Sequence, residues 1–168
     1  MRRLLETERL IIQEPRESDF PEFWRLINDP IAMRYTAGTT TLSKDKALEG
    51  YKRRIELFGH NPTYIFSIIE KSSRTYIGYC GIRYWDVIEG VELLYGYNQE
   101  HWGKGYGSEA ALAVADFAFN DLAMTELFGI VYPANKASEK ILQKVGFKYI
   151  KDVEIPEHGT ARKYLLKP

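Results

Sequence analysis

His101-Trp102-Gly103-Lys104-Gly105-Tyr106-Gly107-Ser108-Glu109-Ala110 sets three glycines at alternate positions between two different periodicities. Upstream, Val91 to Asn98 reads as a strand. Downstream, Ser108 to Phe119 carries alanines, leucine, valine and phenylalanine at helical spacing. The loop therefore lies at a helix N-terminus, where unpaired N–H groups and the helix dipole favour an anion. Glycine lets a ligand approach the main chain, and Lys104 adds a mobile positive charge. A phosphate cradle made from Gly103, Lys104, Gly105, Tyr106, Gly107 and Ser108 is the expectation.

Two commoner phosphate motifs fail on these residues. A Walker loop needs four residues between its glycine and a Gly-Lys-Ser/Thr end, and nothing here has that form. A dinucleotide fingerprint needs glycine where Ser108 stands, with an acidic residue about 20 positions on that ends a strand. Glu126 instead precedes the next strand, which leaves a nucleotide oxidoreductase only as a minor reading.

A second motif lies downstream. Leu127 to Tyr132 reads as a buried strand, and Pro133-Ala134-Asn135-Lys136-Ala137-Ser138 then opens a helix closing on Gly146-Phe147. Together the two motifs resemble the acetyl-coenzyme A signature of the GNAT N-acetyltransferase superfamily. Trp-Gly-Lys-Gly-Tyr with Asn-Lys-Ala-Ser is most similar to its ribosomal-protein N-acetyltransferase branch. The resemblance runs from Thr7-Glu8-Arg9-Leu10 to the last strand.

Composition is consistent with this without implying it. The 168 residues, 1–168, suit one domain with one sizeable core. Lys plus Arg and Asp plus Glu are equal at 23 each, so no global field draws in nucleic acid or an anionic membrane. A single cysteine, Cys80, excludes an internal disulfide, and no apolar run reaches the roughly 20 residues of a membrane span. Met1-Arg2-Arg3 is basic, yet no apolar run of the signal-peptide kind follows, so a cytoplasmic protein is expected. His60, His101 and His158 are scattered beside turns, and no metal site is expected. Twelve tyrosines and three tryptophans imply a well-filled core and leave room for a homodimer surface.

Along the chain, Glu8 to Gln13 alternates as a first strand. Asp19 with Glu22 offers a helix cap, Asp29-Pro30 ends that helix, and Ser43 caps a second one through Phe58, ended by Gly59-His60-Asn61-Pro62. Tyr64 to Glu70, Thr75 to Trp85 and the Glu92 run form an antiparallel meander. Strand, helix, strand, helix follows, then Phe147 to Ile155 and Ala161 to Leu166. The fold class is α+β: one mixed, mostly antiparallel sheet of six to seven strands with about four helices. Strands 4 and 5, the Glu92 and Leu127 runs, should be parallel. The resemblance implies that they splay apart and admit the pantetheine arm.

It also implies roles. An amine attacks the acetyl-CoA thioester, so a base, an oxyanion donor and a leaving-group partner are needed. Glu92 is the candidate base; its plain alternative is a strand carboxylate paired with Arg83. A backbone N–H near Tyr95 is the oxyanion donor, with Tyr97 beside it on the coenzyme wall. Many members carry a leaving-group tyrosine where this chain has Leu142, and Ser138 is the hydroxyl that remains. Asn135 matches the asparagine that bonds the pantetheine amides, and is also a candidate N-cap. Trp102 stands where many members have Gln or Arg. The loop Asn28 to Thr41 should roof the acceptor, with Trp24 and Tyr35 on one wall and Tyr84, beside Trp85, on the other. The acceptor is expected to be a primary amine, a protein N-terminus first and a polyamine or antibiotic second. A non-catalytic acyl-CoA sensor is the reading from another class.

Overall fold

Alternation along the strands decides which helix covers which face. The computed structural model describes residues 4–36, 42–60 and 62–168. Its elements in chain order are β1 (Leu4–Glu6), β2 (Leu10–Gln13), α1 (Phe20–Ile27), α2 (Lys44–Leu57), β3 (Tyr64–Glu70), β4 (Tyr76–Trp85), β5 (Gly90–Tyr97), α3 (Tyr106–Asn120), β6 (Leu127–Val131), α4 (Lys136–Val145), β7 (Lys148–Ile155) and β8 (Gly159–Leu166). Phe66 and Ser67, adjacent on β3, are both fully buried. Phe66 meets Phe117 of α3 edge to face, whereas the Ser67 hydroxyl donates to Asp19 at the foot of α1 at 2.8 Å. Successive side chains point to opposite faces, so α3 covers one side of the sheet and α1 the other. Truncating Phe66 to alanine would cost about 3–5 kcal/mol through lost burial and the cavity left behind.

The eight strands form one sheet in the order β1-β2-β3-β4-β5-β6-β8-β7, one strand more than the upper expectation. The extra strand is β1, which pairs antiparallel with β2 from Leu4↔Gln13 to Glu6↔Ile11. Its formation shortens the first expected strand: Thr7 N–H donates to the Leu10 carbonyl, and Thr7 to Arg9 become a turn. The β3-β4-β5 meander is antiparallel as expected. Ser43 caps α2 by accepting from Lys46 N–H. Asp19 does not cap α1 with its side chain. Its carboxylate instead accepts from Arg16 N–H at 3.0 Å and from Ser67, because a short 3-10 turn over Glu17–Asp19 runs straight into the helix. Three expectations fall wholly or partly outside the described residues: the basic Met1-Arg2-Arg3 start, the end of the acceptor loop at 37–41, and Asn61 in the turn after α2.

Between β5 and β6 the sheet opens. These strands run parallel but share one registered pair, Glu92↔Phe128, whereas β4 and β5 share eight pairs and β6 and β8 five. Beyond that pair β5 and β6 diverge. Among the described residues no helix is long and apolar enough to cross a membrane.

Candidate active site

Helix α3 starts where its sequence leaves backbone donors free. Gly105 is its N-cap in the left-handed region, φ +83°, which glycine adopts without a Cβ penalty. No side chain caps it, and the first intrahelical N–H bond shown at this end is Glu109 to the Gly105 carbonyl at 3.1 Å. The N–H groups of Gly105 to Ser108 are thus available to an anion. The helix begins two residues before the expected Ser108, and this draws Tyr106 and Gly107 into its first turn. A Cβ on Gly107 would lie 2.7 Å from Ile141 Cδ1, so any larger residue here must push the end of that side chain aside where α3 meets α4. Trp102, an exposed residue, donates its indole N–H to the Tyr97 carbonyl at 2.7 Å and ties the loop to the end of β5.

The loop borders a cavity of about 500 Å³ that runs into the wedge between β5 and β6. Its floor is Leu93 to Tyr97; Ile130 and Tyr132 line it from the β6 side, and Asn135, Ser138 and Ile141 from α4 and its cap. Asn135 is the N-cap of α4, its side-chain oxygen accepting from Ser138 N–H at 3.2 Å. Of the expected coenzyme residues, Tyr95, Tyr97, Trp102, Gly103, Gly105, Tyr106, Gly107, Ser108 and Asn135 all line this one cavity. Lys104 is exposed on the loop and is not part of the lining; its carbonyl accepts from Arg9.

The two expected catalytic side chains reach the same space. Glu92 is buried, and Arg83 Nε donates to its Oε2 at 3.2 Å. Burial raises its pKa above the ordinary carboxylate value, and the Arg83 charge and hydrogen bond only partly offset this. The cross-strand pair Arg83↔Glu92 and the cavity position therefore coexist. Ser138 Oγ lies 2.8 Å from Tyr95 Oη, which also donates to the Ser138 carbonyl at 3.2 Å. Burial pushes the Tyr95 phenol up despite the Ser138 hydroxyl, so it stays protonated. Leu142, at the position of the family tyrosine, is buried and packs where a Cβ on Gly129 would meet it at 2.7 Å.

At the outer end of the cavity the expectations divide. Tyr35 lines it, with Arg34 stacked over its ring at 4.8 Å. Trp24 does not: it is half-buried against the Phe20, Ala47 and Tyr51 cluster between α1 and α2. Tyr84 is half exposed and absent from the lining, because Arg83 and Trp85, its neighbours along β4, share the Glu92 face. That parity was readable from the strand, since period two sets Tyr84 opposite to Arg83. The lining aromatics that sequence reasoning missed are Tyr79, which shares the period-two parity of Arg83 on β4, and Tyr132, one residue beyond β6, whose spacing of two from Ile130 is the corresponding signal. Tyr132 Oη and His101 Nδ1 are buried in lining residues and have no partner among the described residues. Such orphaned groups, a glycine-walled passage and free helix N–H groups fit a long, polar, phosphate-bearing ligand of the coenzyme A kind. Among the described residues there is no group of three or more His, Cys, Asp or Glu able to hold a metal.

Comparison with known proteins agrees with this geometry. Residues 9–148 match the family model described as "Acetyltransferase (GNAT) domain". The chain is 30% identical over 145 residues to "Uncharacterized N-acetyltransferase p20" of Bacillus licheniformis, covering 86% of this chain and 82% of that one. Its fold is similar to that of RimL, a ribosomal L7/L12 α-N-protein acetyltransferase solved with coenzyme A, at a TM-score of 0.81 and 14% identity, covering 98% of each chain. It is also similar to AAC(6')-Ib in complex with ribostamycin and coenzyme A, at 0.76 and 18%, covering 95% of this chain and 94% of that one. The chain belongs to the GNAT family and is an acyl-CoA-dependent acetyltransferase.

Proposed function

We propose that this protein transfers the acetyl group of acetyl-CoA to the α-amino group of a protein or peptide N-terminus. The observation that carries the acceptor class is the charge of the cavity. Among the described lining residues Glu92 is the sole carboxylate, against Arg34, Arg83 and Lys140. A polyamine or aminoglycoside brings several positive charges, and these would meet guanidinium groups instead of carboxylates. An α-amino group brings one. Its ordinary pKa of about 7.7–8.0, against about 10.4 for a lysine-like amine, also suits a lone weak base.

The chain's own groups divide the work. Main-chain N–H groups of Gly105 to Ser108 hold the pyrophosphate, and Asn135 and the open edge of β5 hold the pantetheine arm. The bound thioester supplies an activated acetyl group. Glu92, its proton affinity raised by burial, accepts the amine proton through water. A main-chain N–H near Tyr95, on the edge of β5 that β6 leaves free, donates to the carbonyl oxygen. Ser138 Oγ donates to the departing sulfur once Tyr95 Oη, too weak an acid to ionise, turns its single hydrogen from the Ser138 carbonyl to Ser138 Oγ, 2.8 Å away, which leaves the serine hydrogen free for that task. A thiol with an ordinary pKa near 8.5 leaves without full protonation, so a hydroxyl suffices where Leu142 replaces tyrosine.

The test is a panel of peptides with differing first residues against spermidine and aminoglycosides, read by release of free thiol from acetyl-CoA. Peptide N-termini should turn over with the higher kcat/KM. Faster turnover of the polycations would reject this acceptor, and CoA binding with no thiol release from any amine would favour a sensor.

A further inference from the structure

The Thr7-Glu8-Arg9-Leu10 opening, part of the family resemblance, has no place in the chemistry above, yet it reaches the coenzyme loop. Arg9 Nη1 donates to the Lys104 carbonyl at 2.8 Å. Arg9 Nε donates to Glu109 Oε2 at 2.8 Å, and Nη2 lies 2.6 Å from the same oxygen. The other carboxylate oxygen, Oε1, accepts from Arg9 N–H at 3.0 Å and Thr7 Oγ1 at 2.5 Å. The guanidinium also stacks over Tyr106, 4.6 Å from its ring centre. Lys71 anchors the turn from behind, donating to the Thr7 carbonyl at 2.6 Å. Neither Arg9 nor Glu109 belongs to the described cavity lining.

Glu109 sits in the first turn of α3, beside the free N–H groups. A carboxylate there competes with any incoming phosphate for the positive end of the helix. Arg9 cancels that charge, and by gripping Lys104 it also fixes the carbonyl that precedes Gly105. We infer that Arg9, with Thr7, is a positioning residue for coenzyme binding: it neutralises Glu109 and holds the Gly103–Ser108 loop with its amides facing the pyrophosphate. The inference rests on the proposed coenzyme site and deepens it.

Binding of CoA to wild type, Arg9→Gln, Glu109→Gln and the double variant, measured by calorimetry at low and high salt, tests it. Arg9→Gln should weaken CoA by about 3- to 10-fold at low ionic strength, the scale of a charge at a helix terminus. The loss should shrink at about 0.5 M salt, where screening is strong. Removing the carboxylate as well should bring the double variant back to within about threefold of wild type, and Glu109→Gln alone should bind no worse than wild type. A merely structural Arg9 would lower the melting temperature of the Arg9→Gln variant and leave its CoA affinity and salt dependence unchanged, overturning the inference. A double variant as weak as Arg9→Gln would also overturn it, by pointing to direct contact between Arg9 and the ligand. Wild-type protein that fails to bind CoA would remove the coenzyme reading itself, which normal wild-type binding keeps separate from the fate of Arg9.

Discussion

The two ends of the cavity are built from different materials. The end proposed for the coenzyme is backbone: free N–H groups at the start of α3, a glycine passage beside Ile141, and the edge of β5 that β6 leaves open. The end proposed for the acceptor is side chain: Met33, Arg34, Tyr35, Arg83 and Trp85, carried by the loop after α1 and by β4. A backbone site can be spoiled at a position where no side chain was acting. A side-chain site can be retuned one charge at a time.

The sharpest way to break this contrast is Gly107→Leu. Its Cβ would overlap Ile141, and the remaining side chain would project into the passage between α3 and α4. Loss of measurable CoA binding, on the order of 100-fold or more, is expected while the far-UV spectrum persists. Calorimetric titration with CoA checks it, and affinity within about threefold of wild type would show that the amides do not carry the ligand.

Glu92→Gln comes next, with kcat lowered by about 10²-fold or more and CoA affinity little changed. Burial raises the Glu92 pKa, so its basic form grows as pH rises through that raised value; wild-type turnover should climb there and the variant's should not. Stability has the opposite sign. The folded state holds this proton more tightly than the unfolded one, so the contribution of Glu92 falls as pH rises from the ordinary carboxylate pKa towards the raised one. The variant should therefore melt higher than wild type at neutral pH and lose that advantage in acid. Thermal melts at both pH values check the sign.

Tyr95→Phe and Ser138→Ala should each lower kcat by about tenfold, and the double variant should be little worse than either, since the hydroxyls act as a pair. Multiplying effects in single-turnover kinetics would separate them. Arg34→Asp should have the smallest effect, raising kcat/KM for a polycation relative to a peptide by about 3- to 10-fold. No change in that ratio would remove Arg34 from acceptor selection.

The legibility of the molecule follows the same division. Gly105 stands out in the sequence because its positive φ disfavours other residues, and that constraint is local. Asn135 and Ser138 are legible for the same reason, being spaced as the cap and third residue of a helix. Tyr84 was misplaced against the period-two parity of its own strand, whereas Trp24 was misplaced because an aromatic at helix spacing reads alike in core and pocket. Only the partner element tells them apart. The Asp19 carboxylate illustrates the same limit: a cap motif within four residues gave way to Ser67, 48 positions away, and to the preceding turn.

By itself the sequence determined the periodicities, the breaks between them and the two motifs. These set the antiparallel meander, the parallel step from the Glu92 strand to the Leu127 strand, and a helix start able to bind phosphate. Tertiary structure alone decided that β5 and β6 part after one pair, that the Arg83–Glu92 pair offered by the sequence lies inside the cavity, and that Arg9 reaches Glu109 across 100 residues. Local patterns are written in φ and ψ preferences and spacing, which neighbours in the chain impose on one another. Charge pairing, burial and the width of a wedge depend on which surfaces meet, and only the folded chain brings those surfaces together.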